Sequence, residues 1–392
     1  MTDGIKKAIE YIQSNSAYAK KAIQAQLSVW RGEKSEMPAL ALSCPHTEEQ
    51  REWFVPYNLK EIHFDSEKMF SNGLREALAA VNGNYGSVPS MRANMGCGIV
   101  PSLFGPQQRL FEDIMPWLVD HSSKADIKKM EENHEFKIDS SAEFAAAMGH
   151  MEFMTEKLRE FGLVGKLFVY PLDLQGPVDT AHLVYGDSIF YDFYDEPEFA
   201  HHLLALSDRA VYFAMDECFR RIDLSGELVA HYNHLVLPRN AGGVKISEDT
   251  TTLLSPELID GFAKPHLCAM LKHFGGGYVH YCGKNGHLLD VLLDWPEVFG
   301  INFGNPEMHD MKKTLERCRM AKKAYVGGIN KNEGETLFDY FTRILEPSYD
   351  PDTGCFHVIL QYGCQMGERG NVLGEFERAA EYVAKKGGEI YG

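Results

Sequence analysis

Short apolar runs alternate with longer segments of helical periodicity along most of the chain, and this alternation limits the possible folds more than any other feature. Such a pattern is typical of a parallel α/β architecture. Eight predicted strands interleaved with helices over about 350 residues predict a (β/α)8 barrel, the TIM barrel. An open doubly wound sheet is the alternative, although no G-x-G-x-x-G turn follows a strand. The predicted strands are residues 37–43, 86–92, 166–172, 227–233, 276–282, 299–304, 323–329 and 355–363.

The segment before the first strand has a different character. Its apolar residues recur at helical spacing, which predicts an N-terminal helical extension over residues 1–36. No Pro/Ser/Gly-rich linker and no fixed-period repeat divides the remainder, so residues 37–392 are expected to form one catalytic barrel domain. Two helix starts are readable, at Pro197 and at Ser255-Pro256, and Gly275 is the expected stop of the second helix.

Bulk composition excludes several classes of function. The 392 residues are 44% hydrophobic and 24% charged, which is ordinary for a globular protein. A formal net charge of -17 without any Lys/Arg block argues against a nucleic-acid partner. The sequence contains no run of 18 consecutive apolar residues, which a membrane-spanning helix would require. Eight cysteines without short regular spacing indicate reduced thiols and a cytoplasmic protein.

A His-x-Cys pair lies where the fifth predicted strand ends, at His280 and Cys282. Residues two apart in a strand share one face, so an imidazole nitrogen and a thiolate could converge on one zinc ion. The second pair of this kind, His266 and Cys268, falls in a predicted helix, where residues two apart point in nearly opposite directions. Cys44-Pro-His46, after the first strand, is a rival that geometry does not exclude.

A third zinc ligand is expected at another strand end. Cys364 follows the last predicted strand, in the same strand-end position as Cys282. The carboxyl ends of all barrel strands meet at one face, so distant residues become neighbours there. His, Cys and Cys with an open fourth position are typical of catalytic zinc. The alternative is that these cysteines are buried as small hydrophobic residues.

Polar residues at the other predicted strand ends are candidates for substrate binding, because barrel active sites lie at that face. The alternative for each is a structural role, such as capping a helix or bonding to a loop. Either His234 or Asp173 could also complete the zinc shell before substrate arrives. The candidates are Arg92, Asn94, Asp173, Gln175, Asn233, His234 and Asn302.

Several stretches, in order along the chain, resemble the uroporphyrinogen decarboxylase superfamily. The resemblance extends from about residue 37 to 385 and is looser in the first third. Within that superfamily it is similar to the zinc-dependent corrinoid methyltransferases, which are marked by His-x-Cys and a distant C-terminal Cys. The stretches are VYPLDLQGPVDTAHLVYGDSIFYDFYDEPEFAHHLL, VKISEDTTTLLSPELIDGFAKPHL, VHYCGKNGHLLDVL and GINFGNPE.

The resemblance implies zinc bound by His280, Cys282 and Cys364. It also implies methyl transfer between a small molecule and a corrinoid (cobalamin) carried by a partner protein. The small molecule would be a thiol or a methyl ether such as a methoxylated aromatic. The alternative is a metal-free lyase that acts on a carboxylated tetrapyrrole, as true decarboxylases do. Their arginine-rich motif after the first strand is missing here, where SCPHTEEQ follows that strand.

Overall fold

The computed structural model describes residues 2–131, 133–222, 228–239 and 242–391. Its helices are α1 (Asp3–Asn15), α2 (Ala19–Arg31), α3 (Glu48–Glu52), α4 (Leu59–Ile62), α5 (Ser66–Gly83), α6 (Lys124–Ile127), α7 (Ala142–Glu160), α8 (Pro177–Tyr185), α9 (Ser188–Asp195), α10 (Pro197–Arg221), α11 (Pro256–Leu258), α12 (Lys264–Phe274), α13 (Gly286–Asp294), α14 (Met311–Met320), α15 (Leu337–Ser348) and α16 (Arg369–Tyr391). Short 3₁₀ turns and one π turn, Ile259–Ala263, complete the helical structure.

A parallel sheet lies at the centre of the molecule. The strands are β1 (Leu40–Ser43), β2 (Ser90–Met91), β3 (Gln108–Arg109), β4 (Trp117–Leu118), β5 (Phe168–Val169), β6 (Leu228–His231), β7 (Leu235–Pro238), β8 (Val244–Ser247), β9 (Gly277–Tyr281), β10 (Val298–Phe303), β11 (Ala324–Gly327), β12 (Tyr349–Asp350), β13 (Cys355–Phe356) and β14 (Val358–Gly363). Six of them form one sheet in the order β1-β14-β11-β10-β9-β8, with every neighbouring pair parallel.

The remaining parallel strands form a separate two-stranded sheet beside this one. β2 pairs with β5, and an isolated parallel bridge from Gln175 to Ser247 links the segment after β5 to β8. Within the described part of the chain these strands do not close into one hydrogen-bonded ring, because no pairing joins β1 to β2. The architecture is therefore mixed α/β and compatible with a TIM-barrel-like fold.

The prediction for the fourth barrel strand is wrong. Within residues 227–233, of which Glu227 lies outside the described residues, the chain forms β6, the first arm of an antiparallel hairpin with β7. Asn233 and His234 both have φ of 62° in the three-residue loop, residues 232–234, that joins the two arms. The strand that occupies the sheet position is β8, which pairs in parallel with β9.

The first two helices pack closely against the sheet and the hairpin. α1 buries Ile5, Ile9 and Ile12 and lies against α5. In α2, the Trp30 indole donates a hydrogen bond to the Val236 carbonyl at 2.7 Å and stacks on a tyrosine of β9, with 5.9 Å between ring centroids. This packing joins residues 3–31 to the main hydrophobic core. The proposed domain boundary at residues 36/37 remains a prediction.

The predicted helix signals are present in the structure. The Ser255 side chain accepts a hydrogen bond from the Leu258 backbone amide and caps α11. The chain continues through the π turn into α12, which ends at Gly275 in the left-handed conformation. The predicted helix at Pro197 is α10. Across the described residues, no helix combines the length and the apolar character needed to cross a bilayer.

Candidate metal centre

A cavity of about 1530 Å³ opens at the carboxyl ends of the parallel strands. This is the end of the sheet at which barrel enzymes place their active sites. Most of the residues predicted from strand-end positions contribute to its wall. They are Arg92, Asn94, Asp173, Gln175, Asn233, His280 and Asn302.

His280 lies near the end of β9 and is held by the neighbouring strand. Asn302 of β10 is its register partner, and the Asn302 amide donates to the Val326 carbonyl at 2.5 Å. The Asn302 Oδ1 is therefore left to accept the Nδ1 hydrogen of His280, also at 2.5 Å. Because this bond places the proton on Nδ1, the Nε2 lone pair is free for a metal ion.

Cys282 follows β9 directly and brings its thiol to that free nitrogen. Its Sγ lies 3.6 Å from the Nε2 of His280. The space for the sulfur depends on Gly304, since a Cβ at that position would come within 2.3 Å of the Sγ. The absence of a side chain at Gly304 therefore leaves room for this thiol.

Asp249 completes a three-residue cluster. Its Oδ1 accepts the Cys282 backbone N–H at 2.6 Å and lies 3.7 Å from the Nε2 of His280. One potential ligand atom from each of Asp249, His280 and Cys282 lies within 4.8 Å of the others, and all three residues are half-buried. No other such group of His, Cys, Asp or Glu occurs among the described residues. A carboxylate, an imidazole and a thiol form a donor set that suits zinc.

Burial and nearby charges keep the imidazole of His280 and the thiol of Cys282 in their neutral forms. Burial, reinforced by the positive charge of Lys245, lowers the pKa of His280, so its imidazole is uncharged at neutral pH. Burial and the Asp249 carboxylate raise the pKa of Cys282 to about 11. The thiol is consequently protonated, and a cation is required to stabilise its thiolate.

Cys364 does not join this cluster. It follows β14 as predicted, and its backbone amide donates to the Ser43 carbonyl at 3.1 Å. Its side chain is 8% exposed and its Sγ lies 3.6 Å from the Sγ of Cys44. The role of Cys364 as a zinc ligand therefore remains a prediction from sequence.

Arg92, Asp173 and Lys245 form an ion cluster on the cavity wall. The Lys245 ammonium donates to the Asp173 carboxylate at 2.9 Å, and Arg92 lies 3.5 Å from the other carboxylate oxygen. Burial alone would raise the pKa of Asp173, but Lys245 and Arg92 outweigh it and hold that pKa well below its ordinary range. Arg92 also donates to the side-chain oxygen of Asn94 at 3.1 Å. The Gln175 amide lies against the backbone carbonyl of Asp173.

Asn233 and His234, which are neighbours in the hairpin loop, have different surroundings. The Asn233 amide reaches into the cavity and donates to Gln361 of β14 at 3.1 Å. The His234 ring lies 3.4 Å from the Ser90 hydroxyl and does not line the cavity. Burial lowers the pKa of His234 to about 4. The structure therefore places it apart from the metal cluster.

Sequence reasoning missed Asp249 and Lys245 because it took the wrong segment as the fourth barrel strand. The run VKIS, which forms β8, is short and carries a lysine in its middle. Read as a strand, it places Lys245, Ser247 and Asp249 on one face at intervals of two residues, and all three line the cavity. The alternation of apolar and polar residues from Val244 to Ser247 is the sequence signal that could have identified Lys245 and the strand-end residue Asp249.

No protein-family model matches the chain, and no curated protein matches it. Among solved structures, a methyltransferase from Methanosarcina mazei is similar, with a TM-score of 0.59 and 16% sequence identity over 92% of this chain and 98% of that chain. At this level of identity the likeness concerns the fold.

Proposed function

We propose that this protein is a zinc-dependent methyltransferase that moves a methyl group between a small molecule and a corrinoid carried by a partner protein. The small molecule is a thiol or a methyl ether such as a methoxylated aromatic. The observation that carries the proposal is the convergence of Asp249, His280 and Cys282, of which Asp249 and His280 line a large open cavity. The resemblance of the sequence to zinc-dependent corrinoid methyltransferases supports it, as does the shared fold with a methyltransferase.

The three side chains fit a zinc ion in charge as well as in geometry. One carboxylate and one thiolate balance the two positive charges of zinc, and the neutral imidazole adds none. A bound zinc ion would supply Lewis acidity, which makes a thiol easier to deprotonate or a methyl ether oxygen easier to release. Three protein donors leave a fourth position for the substrate atom.

The surrounding residues have supporting tasks in this proposal. Asn302 holds the imidazole of His280 in the tautomer that presents a free Nε2. Asp249 holds the backbone of Cys282 in place through its hydrogen bond to the amide. The cavity leaves the strand ends open to a corrinoid that approaches from the mouth. The corrinoid itself supplies the methyl-transfer chemistry at cobalt.

The third ligand distinguishes this proposal from the expectation based on sequence alone. His280 and Cys282 are common to both. Asp249 is the donor whose oxygen already lies beside them, whereas the Cys364 thiol would have to leave Cys44 to reach them. We therefore propose Asp249 as the third ligand.

The function is tested by following the visible spectrum of cobalamin. Methylcobalamin is mixed with candidate thiols, and reduced cobalamin with methoxylated aromatics, before and after zinc is removed and restored. Methyl exchange that disappears with the metal and returns with it is the expected result. Exchange that is independent of zinc would contradict the proposal, as would release of a decarboxylated tetrapyrrole from uroporphyrinogen.

A further inference from the structure

The ion cluster of Arg92, Asp173 and Lys245 carries more positive than negative charge. Two cations share one carboxylate, so the cluster has a net charge of +1. Arg92 also makes cation–π contacts with two aromatic rings, with its guanidinium carbon 5.7 Å from the Tyr170 ring centroid and 5.5 Å from the Tyr232 ring centroid. Contacts of this kind help to hold a guanidinium group in place while its N–H groups remain able to bind anions.

Both cations retain hydrogen-bond donors. Lys245 has three N–H groups and contacts two acceptors, Asp173 and the Ser247 hydroxyl. Arg92 has five N–H groups, of which one donates to Asn94 while another faces Asp173. Among the residues that the structure describes, no further acceptor lies within hydrogen-bonding geometry of either group. The side chains are 11% and 13% exposed, and both line the cavity.

The other acidic groups near this cluster are already engaged. The Glu76 carboxylate, which helps to raise the pKa of Arg92, accepts the Asn72 amide at 3.0 Å and does not line the cavity. Asp179 accepts the backbone amides of Asp249 and Thr250, at 2.8 and 2.6 Å. Asp249 belongs to the proposed zinc set. Asp173 itself is 28% exposed and faces the cavity, so it weakens the field of the two cations without cancelling it. A positive charge in a partly buried cavity attracts an anion more strongly than the same charge in open solvent.

The cluster also lies at the level of the proposed zinc site. Ser247, which Lys245 contacts, is the register partner of His280 across β8 and β9. Neighbouring strands are about 4.8 Å apart. A ligand held by Lys245 and Arg92 would therefore need to extend only a few bonds to reach the zinc ligands.

We propose that Arg92 and Lys245 bind a carboxylate group of the small-molecule substrate, and that Asp173 sets the strength of this binding. The substrate is accordingly a small anion with a carboxylate a few bonds from its thiol or methyl ether oxygen. This inference rests on the proposed function for the reacting group. The binding of the carboxylate can be measured without any methyl transfer.

The first test compares pairs of ligands that differ only in charge. Calorimetric titration of the purified protein with 4-methoxybenzoate and with 4-methoxybenzamide gives the two affinities, and 3-mercaptopropionate with its amide forms a second pair. We expect the carboxylate to bind at least about tenfold more tightly than the amide in one of the two pairs, because charge-assisted hydrogen bonds favour it. Equal affinities in both pairs would overturn the inference.

Two substitutions then test the cluster in opposite directions. Lys245→Met removes one cation and should weaken carboxylate binding about tenfold. Asp173→Asn keeps the shape of the side chain, raises the net charge to +2 and should strengthen carboxylate binding several-fold. A merely structural ion cluster predicts that both substitutions weaken binding or leave it unchanged. That outcome, in variants whose melting curves show a folded protein, would contradict the inference.

The results also separate this inference from the proposed function. Carboxylate binding without methyl exchange would leave the anion site standing and remove the methyltransferase. Methyl exchange in which the amide and the carboxylate are used with equal kcat/KM would support the methyltransferase and remove the anion site.

Discussion

The strands β9 and β14 of the central sheet are each followed by a cysteine, and the two thiols have different surroundings. Cys282, after β9, lies 3.6 Å from a free imidazole nitrogen and close to a carboxylate. Cys364, after β14, lies 3.6 Å from another thiol, that of Cys44. Burial, together with Cys364, raises the pKa of Cys44 to about 12, and burial raises the pKa of Cys364 as well.

The difference shows that position at a strand end alone does not bring a thiol close to other potential ligand atoms. The end of β9 combines a thiol with a fixed tautomer, a carboxylate and space opposite Gly304. The end of β14 combines two neutral thiols, which interact without any cation. The end of β9 thus has the arrangement of a candidate metal site, whereas the two thiols at the end of β14 pack against each other. Substitutions at each of these two strand ends should therefore have different effects on zinc binding.

The largest effect is expected at the end of β9 itself. Cys282→Ala or His280→Ala should reduce zinc from about one per chain to below about 0.1, because two of the three donors cannot hold the ion alone. Metal analysis of the purified variants measures this. Cys268→Ala serves as control, since Cys268 lies in α12 outside the metal cluster. Zinc retained by both ligand variants would contradict the account.

A smaller loss is expected when the space for the sulfur is filled. The added methyl group of Gly304→Ala would come within 2.3 Å of the Cys282 Sγ and displace it. We expect zinc affinity to fall more than tenfold in a chelator competition assay. Gly286→Ala is the matched control, because a Cβ there meets no atom within 4 Å. Equal affinity in the two variants would show that the thiol is not a ligand.

Removing the hydrogen bond that holds the His280 imidazole should lower zinc affinity by a similar or smaller factor. Asn302→Ala removes the acceptor that keeps the proton on Nδ1, and such changes outside the ligand set commonly cost 10- to 100-fold in metal affinity. The same competition assay measures the change. Asn233→Gly, which alters another cavity amide and tolerates the left-handed turn, should bind zinc like the parent. An unchanged affinity in Asn302→Ala would remove the argument from the tautomer.

The smallest effect on the metal is expected at the end of β14. Cys364→Ala and Cys44→Ala should keep about one zinc per chain and lose about 1 kcal/mol of unfolding free energy from altered packing. Metal analysis and denaturant titration give the two quantities. If Cys364→Ala alone lost the metal, the two thiols would have to separate on zinc binding, and the ligand set expected from sequence would be correct.

Much of the fold could be predicted from sequence because the alternation of apolar runs and helical segments is a local signal. Seven of the predicted barrel strands contain strands of the parallel sheets, and the helix starts at Pro197 and Ser255 are present. The fourth barrel strand, β8, could not be predicted from such apolar runs. The run LVAHYNHLVLP forms a hairpin with a three-residue loop, and it is more apolar than the true strand VKIS.

The candidate site was predictable only in part, for the same reason. His280, Cys282 and Asn302 lie on strands with clear apolar runs, and the structure brings them together. Asp249 follows β8, the strand that was not predicted, so it was not recognised as a strand-end residue. The side chain of Cys364 contacts Cys44, which follows β1 at the opposite end of the chain. No local pattern encodes such a contact.

The central claim is that zinc is bound at the end of β9 by one thiolate, one imidazole and one carboxylate. Zinc X-ray absorption spectroscopy of the metal-loaded protein counts the sulfur atoms bound to the ion. The account predicts one sulfur at about 2.3 Å, with the remaining donors being nitrogen and oxygen at about 2.0 to 2.2 Å. Two sulfur donors, or none, would contradict it.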